Sequence, residues 1–273
     1  MKNKEKESPY CIAVCAATDP TNGAGIGGDI LTIQSLGAYP ISVVTAITVQ
    51  DTVGVTGVYP LSAKLVQAQW QCLVNDISPQ AVKWGMLGNS ETLETLRASI
   101  SKLENTIPIV IDPVLASGRG DKLADDATCL AYRMIDLPQK NVIITPNYKE
   151  FYQIMKASSE MPVESLLGAF FEAKGAASWL LLKGVHAPTE QIVHRLWNKQ
   201  GEVLSLECHR LDGEFHGSGC TFGSALAVFL AQGQSVPEAV ISTQAYVLKS
   251  LEAAYSLGNG QYIPARKFIF REQ

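Results

Sequence analysis

Residues 216–231 read His-Gly-Ser-Gly-Cys-Thr-Phe-Gly-Ser-Ala-Leu-Ala-Val-Phe-Leu-Ala, a glycine turn followed by a helix of small and apolar residues. A helix that is apolar on every side belongs in the interior of a large domain. A glycine turn at its start leaves backbone N–H groups unpaired at the positive end of the helix dipole. The stretch therefore predicts an anion site suited to a phosphate. It is also compatible with a close-packed glycine turn beside a small buried cysteine.

Outward from this stretch, apolar runs of strand length alternate with helical patterns. Strands are predicted over residues 10–17, 40–49, 81–84, 107–111, 141–144 and 179–182, and a hairpin over about 190–197 and 202–208. Helices are predicted over about 24–36, 63–74, 91–103, 123–135, 148–156, 163–174 and 237–257. This alternation indicates an α/β fold, a three-layer sandwich with a mostly parallel central sheet flanked by helices. We expect one domain over residues 10–273, preceded by a frayed tail of residues 1–9.

The composition excludes several classes of function. A chain of 273 residues with 47% apolar residues can bury a large core, and its net charge of −4 offers no basic stripe for nucleic acid. No apolar run reaches the roughly 18 residues of a membrane span. The six cysteines lack paired spacing, which indicates reduced thiols in a cytoplasmic protein.

Polar residues follow the predicted strands. In a parallel sheet these positions share one edge, where ligands bind. The residues just after the strands are Asp19, Gln50, Met86, Asp112, Asn147, Lys183 and the turn 217–219. Their concentration predicts a binding site at this edge.

Two carboxylates at neighbouring strand ends, Asp112 and Glu150, could hold Mg²⁺ directly or through water. Asn147 and Glu150 also have the spacing of a capping box, and both roles can coexist. Asp112-Pro113 alone would be an ordinary turn.

Lys183 ends an apolar strand beside Gly184 and could reach a transferring phosphoryl group as a compact positive charge. The alternative is a lysine that extends from a buried strand to solvent. Cys220 lies in the first helical turn after 217–219, where the helix dipole is expected to favour its thiolate.

The glycines of residues 23–28 form a literal G-x-G-x-x-G, and Asp51 lies at the distance of a ribose-binding acid. A nicotinamide dehydrogenase is therefore one alternative. Against it, residues 18–22 separate the strand from the glycines, where the dinucleotide turn should be tight. We expect instead that these glycines form a rim of the binding site, where a flat substrate can approach the backbone.

The histidines and cysteines near the end of the chain do not predict a zinc site. Cys208, His209, His216 and Cys220 lack the repeated short pairs of a zinc site. His194 is expected on a strand surface.

As a whole the chain resembles the ribokinase-like superfamily, and within it the hydroxymethylpyrimidine/phosphomethylpyrimidine kinases of thiamine biosynthesis, over roughly residues 10–260. The segments that carry the resemblance occur in the family's order. They are residues 18–26 with Asp29, 36–39, 45–52, 85–87, 112–114, 145–147 with Glu150, Lys183-Gly184 and 217–221.

The resemblance implies ATP-dependent phosphorylation of 4-amino-5-hydroxymethyl-2-methylpyrimidine and of its monophosphate to the diphosphate. ATP would lie near Asn147, Lys183 and Ser218, with its terminal phosphate over the turn that includes Gly217 and Gly219. Mg²⁺ would be served by Asp112 and Glu150. The pyrimidine pocket would be lined by Ala17, Ala24, Asp29, Gln50 and Met86.

Much of the superfamily carries aspartate at the position of Cys220, where it acts as base on the acceptor hydroxyl. We expect the cysteine to suit an enzyme that phosphorylates first an alcohol and then the resulting phosphate. A fixed carboxylate would repel the anionic phosphomonoester, which needs no base.

The chain also departs from the family, with Ala17 in place of a usual glycine, Gly27-Gly28 before Asp29, and Arg119 in the loop 118–121. These departures concern the acceptor, so pyridoxal kinases of the cysteine-bearing type are the nearest alternative. A non-catalytic pyrimidine-binding protein is a third possibility, and a homodimer is left open.

Overall fold

The computed structural model describes residues 8–117, 120, 123–174, 178–184 and 191–267, and in the central part of the chain single strands alternate with helices. The strands are β1 (Cys11–Ala16), β2 (Tyr39–Val44), β3 (Ala46–Gln50), β4 (Val55–Pro60), β5 (Ala81–Trp84), β6 (Ile109–Ile111), β7 (Val142–Ile144), β8 (Ser178–Leu182), β9 (Gln191–Asn198) and β10 (Gly201–His209). The helices are α1 (Gly25–Ser35), α2 (Ala63–Asp76), α3 (Ser90–Ile100), α4 (Asp126–Met134), α5 (Tyr148–Met155), α6 (Glu164–Glu172), α7 (Ser218–Ala231) and α8 (Val236–Glu252).

Eight of these strands form one sheet in the order β10-β9-β8-β7-β6-β5-β1-β2. The six strands from β8 to β2 pair in parallel, and β9 and β10 add an antiparallel hairpin at one edge. The carboxyl ends of β1, β5, β6, β7 and β8 therefore lie along one edge, as the sequence predicts.

Successive strand residues face opposite sides of the sheet and contribute to two separate hydrophobic cores. On one side Trp84, Ile111 and Ile144 pack with residues of α2 to α6. On the other, Val14 and Val110 pack with residues of α1, α7 and α8. The three-layer sandwich is thereby confirmed.

Helix α7 is as buried as its composition indicates. Every residue from Thr221 to Val228 is buried, and the helix lies against α1, α8 and the sheet. This placement fixes the glycine turn before α7 at the edge where the parallel strands end.

The predicted strand over residues 40–49 is wrong in one respect, because it divides at Thr45. The backbone N–H of Thr45 donates to Ala16 O, and its hydroxyl donates to Met86 O at 2.6 Å. After Thr45 the chain leaves the main sheet, and β3 pairs with β4 in a separate antiparallel hairpin.

In the described ranges no helix is long and apolar enough to cross a membrane. Residues 1–7 of the predicted tail and Arg119 of the loop 118–121 lie outside the described residues.

Candidate active site

The turn before α7 requires glycine. Gly217 is the N-cap residue and has φ 76°, in the left-handed region. A Cβ at this position would lie 1.9 Å from the carbonyl oxygen of Gly23, so no larger residue fits. Gly217, Ser218, Gly219 and Cys220 line a cavity of roughly 500 Å³. The first amides of α7, which lack partners within the helix, thus lie at the cavity wall.

Lys183 and Asp112 meet beside this turn. The Lys183 ammonium lies 2.7 Å from Asp112 Oδ1, and both side chains are almost fully buried. A Cβ built on Gly219 would lie 3.5 Å from Lys183 Nζ and 3.7 Å from Asp112 Oδ2. The structure therefore brings the cation, the carboxylate and the glycine turn to one point.

Glu150 and Asn147 form the capping box of α5. The Glu150 N–H donates to Asn147 Oδ1 at 2.9 Å, and the Asn147 N–H donates to Glu150 Oε2 at 2.8 Å. Burial, together with the charge of Asp112, raises the pKa of Glu150 to about 7, against the opposing effect of Lys183. Both residues line the same cavity, so the cap and a role in the site coexist.

Four of the five residues predicted for the acceptor pocket line this cavity, namely Ala17, Ala24, Gln50 and Met86. Met86 is held by the hydrogen bond from Thr45, and Gln50 lies at the end of β3. Gln50 therefore reaches the site from the small hairpin and not from the main sheet.

Asp29 is a correction to the predicted pocket. Its side chain is fully buried between α1, β5 and α7, where both carboxylate oxygens accept from Lys83 Nζ at 2.9 and 2.8 Å. Ser224 Oγ also donates to Asp29 Oδ1 at 2.7 Å. These bonds engage the carboxylate inside the protein, and Asp29 is not among the residues that line the cavity.

Lys83 is a residue that the sequence analysis missed. Its side chain is completely buried and packs against α7 at Gly223. A Cβ built on Gly223 would lie only 3.3 Å from Lys83 Cε. Burial opposes its charge, but Asp29 and other nearby acidic groups outweigh burial and raise its pKa. The sequence feature that could have identified it is a charged lysine within the otherwise apolar strand Ala81–Trp84.

The glycines of residues 23–28 serve packing. Gly25 has φ 54°, and a Cβ there would lie 2.4 Å from the carbonyl oxygen of Ala17, while one on Gly23 would collide with His216. Asp51 Oδ1 accepts from the N–H groups of Val53 and Gly54 in the β3–β4 turn. The features that suggested a dinucleotide site thus have structural explanations.

The loop after β1 contacts the turn before α7 through Asp19 and His216. Their atoms Oδ2 and Nε2 lie 2.8 Å apart, and Asp19 Oδ2 also accepts from Ala24 N at 2.7 Å. Burial acts to raise the pKa of Asp19, but the hydrogen bonds from His216, Thr21 and Ala24 lower it overall. The pair connects the loop after β1 to the turn before α7.

The expected thiolate at Cys220 is wrong. Burial raises the pKa of the thiol to about 11, and the neighbouring Lys83 charge only partly offsets this. Partial burial of the sulfur opposes the charged form more strongly than the helix dipole and Lys83 favour it. Cys220 therefore presents a neutral thiol to the cavity at neutral pH.

His194 is another correction, because it is buried with 6% of its surface exposed. Its Nδ1 accepts from Gly184 N at 3.3 Å, and its ring contacts Phe222 edge-on. Burial lowers its pKa to about 4, so the imidazole is neutral. It lines the cavity together with Cys208, His209 and His216.

The sequence model of the family described as phosphomethylpyrimidine kinase matches residues 19–265. The chain belongs to the phosphomethylpyrimidine kinase family. The predicted kinase is thereby confirmed, and the nicotinamide dehydrogenase alternative is wrong.

Individual relatives agree with this family assignment. A hydroxymethylpyrimidine/phosphomethylpyrimidine kinase of Streptomyces coelicolor is 35% identical over 254 residues, 93% of each chain. The structure of phosphomethylpyrimidine kinase from Clostridium difficile 630 has a TM-score of 0.72 at 28% identity, covering 89% of this chain and 99% of that one. Pyridoxal kinase from Staphylococcus aureus in complex with AMP-PCP has a TM-score of 0.81 at 24% identity, covering 97% and 96%. This last likeness establishes the fold alone.

Proposed function

We propose that this kinase transfers the terminal phosphoryl group of ATP to the hydroxymethyl group of an aminopyrimidine and then to the resulting monophosphate, giving the diphosphate. The observation that carries the proposal is the convergence of Lys183, Asp112 and the 217–219 turn at one point of the cavity. The family assignment and the kinase from Streptomyces coelicolor, named for both pyrimidine substrates, support the choice of acceptor.

Phosphoryl transfer depends mainly on positioning and on stabilising the charge spread over the equatorial oxygens. The amides at the start of α7 and the ammonium of Lys183 can supply that stabilisation. Asp112 fixes the ammonium at 2.7 Å, so the positive charge is already in place before the nucleotide binds. The terminal phosphate of ATP would lie over the turn, with Asn147, Lys183 and Ser218 near the nucleotide.

The chemistry of two residues supports magnesium as the cofactor, because the buried carboxyl groups of Asp112 and Glu150 line the same cavity and carboxylate oxygens are ligands that Mg²⁺ prefers. No group of three or more His, Cys, Asp or Glu residues arranged to hold a metal ion occurs among the described residues. Asp112 and Glu150 would therefore hold Mg²⁺ together with phosphate oxygens and water, an arrangement that this ion favours. Bound there, the ion would neutralise charge on the phosphates. Burial raises the pKa of Glu150, and a cation bound beside this carboxyl would act to lower it.

The neutral thiol of Cys220 supports the second step. A phosphomonoester brings its own negative charge and needs no base at the acceptor oxygen. An ionised carboxylate at this position would repel it, whereas a protonated thiol does not. The acceptor ring would lie among Ala17, Ala24, Gln50 and Met86, where the Gln50 carboxamide can match the donors and acceptors of an aminopyrimidine edge.

An acceptor panel tests the proposal. ADP release is measured with Mg-ATP and, in separate reactions, the hydroxymethylpyrimidine, its monophosphate and pyridoxal. We expect turnover with both pyrimidines and a much lower kcat/KM with pyridoxal. Turnover with pyridoxal alone would reassign the acceptor, and no turnover with any of the three would overturn the proposal.

A further inference from the structure

Arg266, in the segment that follows α8, contacts the turn before α7 without lining the cavity. Its Nη2 donates to the carbonyl of Gly23 at 2.6 Å and to the hydroxyl of Thr221 at 2.8 Å. Its Nε donates to the same hydroxyl at 3.1 Å, and Nη2 lies 3.5 Å from the carbonyl oxygen of Gly217. One guanidinium thus joins the loop after β1 to the first turn of α7.

Two of the groups involved, the Arg266 guanidinium and the Thr221 hydroxyl that it binds, both reach the carbonyl of Gly217. The carbonyl of Gly217 accepts from the N–H and the hydroxyl of Thr221, both at 2.9 Å, in addition to facing Arg266. In a planar trans peptide the C=O and the following N–H point in opposite directions. Fixing the Gly217 carbonyl on one side therefore fixes the Ser218 N–H on the other side, and Ser218 lines the cavity.

The backbone that carries Arg266 is itself anchored to the same region. Tyr262 N donates to Glu214 O, and His216 N donates to Tyr262 O, both at 2.8 Å. Ala265 N donates to Ser250 O at 2.8 Å, which ties the segment to α8. Arg266 is thereby presented to the turn from a fixed position. It is not one of the residues that line the cavity, so it acts through Gly217 and Thr221.

We propose that Arg266 is a positioning residue for phosphoryl transfer, which orients the Gly217–Ser218 peptide toward the terminal phosphate of the nucleotide. This inference rests on the proposed function, because it takes the terminal phosphate to lie over the 217–219 turn. It predicts that loss of the guanidinium weakens recognition of the third phosphate more than it weakens binding of the rest of the nucleotide.

The test compares nucleotide binding in three variants by calorimetry. Dissociation constants for ADP and for a non-hydrolysable ATP analogue are measured with Mg²⁺ in the wild type, Arg266→Gln, Arg266→Lys and the control Arg97→Gln. Arg97 belongs to α3, its side chain is 41% exposed, and it pairs with Glu94. In Arg266→Gln we expect the preference for the triphosphate over ADP to fall about tenfold, the worth of one charge-assisted hydrogen bond. Arg266→Lys should recover part of it, and Arg97→Gln should match the wild type.

The outcomes separate the two proposals. If the wild type binds neither nucleotide, the proposed function fails. If it binds both without preferring the triphosphate, the turn does not recognise the third phosphate and the inference on Arg266 is overturned, while the proposed function is decided by the acceptor panel. If the wild type shows the preference and a folded Arg266→Gln keeps it, only the role of Arg266 is overturned. A general structural role would lower Tm without changing the ratio of the two constants. Should Arg266→Gln not fold, Arg266→Lys and Thr221→Val decide, and an unchanged ratio in both would overturn the inference.

Discussion

Lys183 Nζ and Asp112 Oδ1 lie 2.7 Å apart beyond the ends of β8 and β6, and the turn residue Gly219 lies against both. The pair is almost fully buried, so its charges are screened little by solvent. Asp112 holds the ammonium in place, while Gly219 leaves room for a phosphate in front of it. This relationship makes Lys183 the cation on which transfer should depend.

Replacing Lys183 by Met should lower kcat by about a hundredfold or more, because the charge that meets the transferring group is removed. The exposed Lys249 of α8, changed to Met, is the matched control and should retain wild-type turnover. Steady-state kinetics with Mg-ATP and the pyrimidine alcohol measure both, with Tm recorded for each. A folded Lys183→Met enzyme with unchanged kcat would remove the lysine from the mechanism.

Cys220→Asp and Cys220→Ser should separate the two phosphorylations. An ionised aspartate repels the anionic monophosphate, so Cys220→Asp should lose at least about tenfold more kcat/KM on the monophosphate than on the alcohol. Serine adds no charge, so Cys220→Ser should affect the two substrates similarly. The two rates are measured separately on purified alcohol and monophosphate. Equal losses on both substrates in Cys220→Asp would contradict this account of the thiol.

Asp29→Asn should lower the free energy of unfolding and leave the KM for the acceptor unchanged. It leaves the Lys83 ammonium in the interior without its anionic partner, which costs roughly 3–5 kcal/mol of unfolding free energy. Urea unfolding gives that loss, and the double variant Asp29→Leu/Lys83→Met should recover much of it because no buried charge remains. An Asp29→Asn enzyme of wild-type stability with a strongly raised acceptor KM would instead place Asp29 in the pocket.

The buried His194 should make the protein sensitive to acid. Its pKa in the folded protein, about 4, is below its ordinary value of 6.5, so protons bind preferentially to the unfolded chain. Its stabilising contribution is present above pH 6.5 and is lost as the pH falls toward 4, on the order of 3 kcal/mol in total. His194→Asn should flatten the fall of Tm over this range, while the exposed His209→Asn should not. An unchanged pH profile in His194→Asn would contradict the assigned burial.

Much of this site could be predicted from the sequence, and the reason is the parallel sheet. Its strands end at one edge, so Asp112, Asn147 and Lys183 had to lie together once their strands were recognised. The glycine turn and its position before a buried helix could also be predicted, because the residues that follow the turn are small or apolar on every side of a helix.

Other features depend on contacts between distant segments. A helix residue such as Asp29 can face the pocket or the interior, and only its contact with Lys83, fifty-four positions away, decides between them. The pKa of Cys220 depends on how much water the folded site excludes, which no local pattern records. The division of the predicted strand at Thr45 likewise follows from its bond to Met86, since the β-rich pattern continues on both sides.

Product analysis by mass spectrometry tests the central claim most directly. The enzyme is incubated with the hydroxymethylpyrimidine and Mg-ATP, and the products are followed over time. The account predicts that the monophosphate appears first and is then converted to the diphosphate, with one ADP released at each step. A reaction that yields no phosphorylated pyrimidine, while the folded enzyme binds Mg-ATP, would contradict it.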